Sequence, residues 1–252
     1  MPPDLSLVVP AYQEAARLPR TLERLADFAR GCGFPLEILV VVERSADATL
    51  DIAARFADRH ADFQAIDNGP QRGKGHAVRA GMLRARGEQV FYMDADLSVP
   101  LAEVDAFLRH FERNPDTAVL IGDRQHARSR ITRRQSMLRE RMGQTFNRIL
   151  QRLALASWRD TQCGFKAFRR AACQEIFRRQ TLDGFAFDVE VLLLAERLGC
   201  RVEALPVEWI NSDESKVRLV RDSFGMLRDA LRVRRIVGAT LRRERDVETS
   251  VP

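Results

Sequence analysis

Short β-branched runs alternate with amphipathic stretches through roughly the first half of the chain. Leu5–Pro10 reads as a strand and Leu36–Val42 as a fully buried one, because consecutive apolar residues leave no solvated face. Ala15–Arg30 spaces its apolar residues for a helix. Asp47–Arg59 does the same, with Ile52, Ala53 and Phe56 on one side. Lys74–Arg86 predicts a third helix and Gln89–Met93 a strand that runs into Asp94-Ala-Asp96. Leu101–Arg113 predicts another helix, with Pro100 suited to its first turn. Ala118–Gly122 closes the series as a buried strand. This βαβα rhythm predicts an α/β fold with a mostly parallel central sheet flanked by helices.

The second half is less regular. Ile131–Ala156 predicts an Arg-rich helix, Phe185–Leu198 a helix and Arg201–Ile210 a strand. Val217–Leu241 places Val220, Phe224, Leu227 and Leu231 at helical spacing. Neither a repeat nor a linker interrupts the pattern, so one domain over residues 1–245 is expected, with residues 246–252 as a tail. In open α/β sheets ligands bind beyond the carboxyl ends of the strands. Three polar clusters fall at such ends: Tyr12-Gln-Glu14, Glu43-Arg-Ser45 and Asp94-Ala-Asp96. Together they predict a pocket.

Composition narrows the class. The 252 residues are 45% hydrophobic and 30% charged, as in a globular protein. No apolar run approaches the ~20 residues that span a bilayer. Met1-Pro-Pro-Asp4 lacks the basic-then-apolar order of a secretory signal, so a cytoplasmic protein is expected. Cys32, Cys163, Cys173 and Cys200 form no CxxC pair, which fits reduced thiols without zinc or disulfides.

The net charge of +6 is unevenly distributed. Arg124–Arg152 holds nine arginines against Glu140 alone, and Lys216–Arg243 holds nine basic residues against Asp222 and Asp229. The remainder is acidic. Two concentrated basic segments attract anions, either an anionic ligand or an anionic membrane surface. A helix around Phe224–Leu231 lying in the interface would make the protein peripheral at the inner face of the membrane. With 7% aromatic residues and no recognisable DNA-binding spacing, nucleic acid is not an expected partner.

Two carboxylates two residues apart at a strand end, Asp94 and Asp96, can converge on one hard divalent cation, Mg2+ or Mn2+. Such an ion shares its remaining positions with water and phosphate oxygens. Arg72-Gly-Lys-Gly75 opens a helix, where backbone donors and Lys74 suit a phosphate. A nucleotidyltransferase would have a similar sheet and metal site.

Four blocks together resemble family-2 glycosyltransferases of the GT-A fold, a Rossmann-like architecture of nucleotide-diphospho-sugar transferases. They are Val8-Val-Pro-Ala-Tyr-Gln-Glu14, Arg72-Gly-Lys-Gly75, Asp94-Ala-Asp-Leu-Ser98 and Asp160-Thr-Gln-Cys-Gly-Phe-Lys166. The resemblance is strongest to the dolichyl-phosphate β-glucosyltransferase, or polyprenyl-phosphate glycosyltransferase, branch. It implies a nucleotide-sugar-binding half over about residues 1–125 and an acceptor half over about 126–245. It also implies inverting transfer of a hexose, with UDP-glucose as the favoured donor. The implied acceptor is a polyprenyl phosphate, with a soluble small molecule as the alternative. Pro10, Tyr12, Glu14, Glu43, Lys74, Asp94, Ala95, Asp96 and Arg124 are implied to bind the nucleotide-sugar. Asp94, Asp96 and Ser98 are implied for the metal, although Ser98 is shorter and neutral where relatives have Glu or Gln. Arg124, Gln162 and Lys216 are implied for acceptor or diphosphate. Asp160 and Asp96 are the implied catalytic groups, Asp160 as base or acceptor organiser. Sequence does not fix the oligomeric state.

Overall fold

The computed structural model describes residues 3–133, 158–210, 229 and 232–242. Four parallel strands form one side of the central sheet: β1 (Leu5–Ala11), β2 (Leu36–Arg44), β3 (Phe63–Pro70) and β4 (Gln89–Met93). The other side holds β5 (Thr117–Asp123), β7 (Phe165–Arg169) and β8 (Arg201–Pro206). The order across the seven strands is β3-β2-β1-β4-β7-β5-β8. β7 pairs antiparallel with both β4 and β5, while β5 and β8 are parallel. The carboxyl ends of β1, β2, β4 and β5 therefore share one edge, and the residues entering β7 arrive at that same edge. A separate parallel pair joins β6 (Arg130–Arg133) to β9 (Glu208–Ile210).

Helices cover both faces, as the sequence rhythm predicts. One face carries α1 (Leu18–Gly31), α2 (Thr49–Ala57) and α4 (Ala102–Arg113). Their Leu22, Leu25, Phe56, Phe107 and Phe111 pack on Leu5, Leu7, Val9 and Phe91. The other carries α3 (Lys74–Arg84), α5 (Arg170–Arg179), α6 (Phe187–Arg197) and helical residues 232–242, packed on Val8, Val41 and Tyr92. Successive strand side chains point to opposite faces, so β1 feeds both cores. Each buried side chain of this size contributes about 1.5–3 kcal/mol.

Differences from the sequence reading have local causes. β3 was not predicted: as an edge strand it is mostly half-buried or exposed and carries Asp67, Asn68 and Gly69. α1 begins at Leu18 instead of Ala15, because Arg17 and Leu18 donate their N–H groups to the Glu14 carbonyl in a preceding turn. The single strand expected over Arg201–Ile210 is two strands in two sheets, parted at Val207 directly after Pro206, whose ring nitrogen cannot extend a ladder. Ile131 belongs to β6, not to a helix; the rest of the helix expected to Ala156 lies outside the described residues beyond Arg133. Within Val217–Leu241, Val220, Phe224, Leu227 and Leu231 also lie outside them. Helical residues 232–242 bury Val233 and Val237 in the protein's own core, so this part turns its apolar side inward.

Candidate active site

Asp94 and Asp96 follow β4 at the shared edge. The intervening Ala95 is buried, and its carbonyl accepts a hydrogen bond from Thr21 Oγ1 at 2.6 Å, tying the turn to α1. Leu97, buried and non-glycine, adopts φ +47°, and Gln13 beyond β1 adopts φ +55°. Such residues are uncommon and cluster where function constrains the backbone. Asp96 Oδ1 accepts the Ser98 amide at 2.9 Å, and the Ser98 hydroxyl also reaches this carboxylate. Ser98 thus serves Asp96 directly. Burial, then the negative charge of Asp94, hold the Asp96 carboxyl above the usual carboxylate range, and Arg17 only partly offsets them. A cation would relieve this undercompensated charge. Among the described residues no group of three or more His, Cys, Asp or Glu could hold a metal by itself, so an ion at Asp94 and Asp96 would need diphosphate and water to complete its shell.

Lys74 Nζ stands 2.6 Å from Asp94 Oδ1 and 5.9 Å from the centre of the Phe187 ring. Burial works to lower this ammonium, but Asp94, Asp188 and Asp96 outweigh it and raise it above the ordinary lysine value. Lys74 opens α3 after Gly73, whose φ of +136° favours glycine. A Cβ on Gly73 would meet the Asp183 carbonyl oxygen at 2.5 Å, and one on Gly75 the Leu182 carbonyl oxygen at 2.4 Å. The Arg-Gly-Lys-Gly turn therefore packs directly against the loop before α6. Glu190 holds that loop from below, accepting from the Thr181 and Leu182 amides at 2.9 and 2.8 Å.

Glu43 is buried, and its carboxylate accepts the Arg72 and Gly73 amides at 3.0 Å, with His76 Nδ1 at 3.1 Å. It is engaged in shaping the start of α3. Glu14 makes a two-pronged ion pair with Arg17, both contacts 2.7 Å, and its amide donates to Thr49 Oγ1 at 2.8 Å. Pro10 is half-buried within β1, and Tyr12 lies half-buried just beyond the strand.

Asp160 is buried beside β5. It accepts from the Arg124 amide at 3.0 Å, Nε at 2.7 Å and Nη2 at 2.8 Å. Burial alone would raise its carboxyl, but the Arg124 charge and hydrogen bonds prevail and lower it. Arg124 also lies over the Trp209 ring at 5.6 Å, and the charge of Asp94 reaches it. The acidic turn after β4 and the Asp160–Arg124 pair are therefore electrostatic neighbours at the same end of the sheet. Gln162 is half-buried next to them, and Lys216 lies outside the described residues.

Residues 6–177 match the profile of glycosyl transferase family 2. The chain belongs to this family. It is 34% identical over 252 residues to the dolichyl-phosphate beta-glucosyltransferase of Drosophila melanogaster, covering 94% of this chain and 76% of that protein. It is 32% identical over 246 residues to the enzyme of that name from Saccharomyces cerevisiae, covering 91% and 74%. Among solved structures, glucosyl-3-phosphoglycerate synthase from Mycobacterium tuberculosis with Mn2+, uridine diphosphate and glucosyl-3-phosphoglycerate superposes with TM-score 0.66 at 15% identity. That match covers 94% of this chain and 80% of the other. Mannosyl-3-phosphoglycerate synthase from Rubrobacter xylanophilus gives 0.64 at 20%, covering 96% and 75%. The fold is GT-A, and the family assignment makes the chain a glycosyltransferase in place of a nucleotidyltransferase.

Several residues that support this candidate site were given no role by the sequence, although most fall in or near its family-like blocks. Gly164 is packed so closely that a Cβ would fall 2.0 Å from Asp94 Oδ2, and its carbonyl accepts the Asp94 amide at 3.1 Å. Lys166, Asp188 and Tyr92 form a buried polar cluster beneath it. The signal would have been the pairing of Tyr92 with Lys166 across β4 and β7, but β7 itself was not predicted. Trp209 reaches Arg124 from β9, beyond the strand break. Burial pushes the Cys163 thiol up to about 12, so it is a packing group, not a nucleophile.

Proposed function

We propose that this glycosyltransferase moves glucose from UDP-glucose to a polyprenyl phosphate, with inversion and with Mg2+ or Mn2+. The carrying observation is that Asp160 gives both carboxylate oxygens to Arg124. A carboxylate so engaged, with its proton affinity lowered, is a poor general base. An alcohol acceptor needs one. A phosphate acceptor does not, because its oxygen is already anionic near pH 7. The names of the sequence relatives support the same acceptor and sugar. Neighbouring solved structures hold Mn2+ with UDP or UDP-glucose, which supports the donor and the ion.

In this reading Asp94 and Asp96 hold the ion, which offsets the charge developing on the departing diphosphate. Pro10, Tyr12, Glu14 and Ala95 border the nucleotide. Glu43 acts through the Gly73 turn that presents Lys74. Asp160 organises Arg124, whose guanidinium, with Gln162 and Lys216, orients the acceptor phosphate. Gln162 Nε2 and Thr161 Oγ1 are buried without a hydrogen-bond partner among the described residues, which suits a wall that faces a polar ligand. Arg232, Arg235 and Arg242 are exposed on the helix spanning 232–242 and are proposed to face anionic headgroups.

A soluble phosphorylated acceptor is the second reading. The phosphoglycerate-bound neighbours favour it, and it asks the same of Arg124. The test is a thermal-shift screen of UDP- and GDP-sugars with Mn2+, followed by turnover with polyprenyl phosphate and 3-phosphoglycerate side by side. Stabilisation by UDP-glucose and turnover on the lipid alone are expected. Turnover on a neutral alcohol but on neither phosphate would defeat the reading.

A further inference from the structure

Lys166 carries an ammonium group that the proposed transfer does not use. Its side chain is fully buried, and strand pairing sets it opposite Tyr92 across β4 and β7. The ammonium lies 5.3 Å from the Tyr92 ring centre, pairs with Asp188 and donates to the Cys163 carbonyl at 2.7 Å. Tyr92 donates its hydroxyl proton to the same Asp188 oxygen. Replacing a buried ion pair by apolar groups of similar volume is often neutral for stability. Stability alone is thus a weak reason for this cluster.

Its contacts lead to Asp94. Lys166 fixes the Cys163 carbonyl, and the next residue, Gly164, accepts the Asp94 amide and leaves no room for a Cβ beside the Asp94 carboxylate. On the other side, Asp188 follows Phe187, whose ring faces Lys74, the ion-pair partner of Asp94. The charge of Asp188 also helps keep Lys74 protonated. One buried cluster therefore braces both members of the Lys74–Asp94 pair.

We propose that Lys166 is a positioning residue: with Asp188 as counter-ion, it acts through Cys163 and Gly164 to fix the Asp94 carboxylate for the donor diphosphate. This rests on the reading of Asp94 as a donor-side acid.

The test exchanges the cluster for apolar groups in the triple variant Tyr92→Phe, Lys166→Met, Asp188→Leu. Amide hydrogen exchange at Asp94 and calorimetric titration with UDP in the presence of Mn2+ are compared with wild type. A melting temperature near wild type is expected, with faster exchange at Asp94 and UDP affinity lower by about 10- to 100-fold, as when groups orienting metal ligands are removed. Unchanged exchange at Asp94 overturns the proposal, and so does faster exchange with wild-type UDP affinity. Should the triple variant not fold, Asp188→Asn keeps the shape while removing the counter-charge. Smaller changes of the same kind are then expected, and wild-type values for both overturn it. If wild type itself binds no UDP with Mn2+, the donor reading fails, and exchange at Asp94 alone decides the role of Lys166.

Discussion

Asp160 meets Arg124 through both carboxylate oxygens, at 2.7 Å from Nε and 2.8 Å from Nη2. The pair is buried on the acid's side, so the carboxylate is an anchor for the guanidinium. Asp160→Asn is expected to lower kcat/KM for a phosphate acceptor by misplacing Arg124, and to leave the shape of the pH–rate profile between pH 6 and 8 unchanged. An acidic limb, with the rate rising as the carboxyl ionises, present in wild type and absent from the variant would instead identify Asp160 as a base.

The same pair gives a stability prediction with a definite sign. The folded carboxyl of Asp160 is lowered, so its contribution is complete above the unfolded value near 4 and is lost as pH falls through the folded value. Breaking the pair should cost about 3 kcal/mol at neutral pH. Urea titrations of wild type and Asp160→Asn should differ by a constant amount from pH 5 to 8 and converge in more acidic solution.

Asp96 works in the opposite direction. Its folded carboxyl is raised, so its charged form destabilises the metal-free fold at neutral pH. Asp96→Asn keeps an acceptor for the Ser98 amide and is expected to melt at a higher temperature than wild type without metal. It should also lose the additional stabilisation by Mn2+ with UDP. Turnover of Asp96→Ala should fall by at least ~10², the scale for removing a group that stabilises developing charge. Near-wild-type turnover with metal present would refute the role.

Gly164→Ala tests the close contact with Asp94. A methyl group placed 2.0 Å from Oδ2 must displace the carboxylate or the 160–164 segment. Overpacking of this kind costs about 1–3 kcal/mol. Thermal unfolding should register that loss, and the Mn2+-dependent affinity for UDP should weaken with it. Unaltered affinity would mean that Asp94 tolerates displacement.

The sequence disclosed the parts of this molecule whose physics is local. Val40–Val42 and Phe91–Met93 are continuous apolar runs, and Asp94 and Asp96 follow the second, so strand, edge and acidic turn were legible together. Edge strand β3 was not, because Asp67 and Asn68 mask its alternation. β7 was hidden by its length and by Lys166, whose charge in a core strand makes sense only beside Asp188, 22 positions along the chain. Glu43 is legible as an acid at a strand end, but its service to the Gly73 turn depends on a tertiary contact spanning 30 positions that no local pattern encodes.

Because β7 runs against its neighbours, the chain brings residues 160–164 to the ligand edge on an inward lead, with the strand behind them as a stem. In the proposed reading, the wall facing the acceptor is thereby carried on a separate stretch from the β1, β2 and β4 ends that face the donor. On that reading, exchanging this short cassette between relatives, with Gly164 retained, is expected to change the acceptor while the donor side stays as inherited.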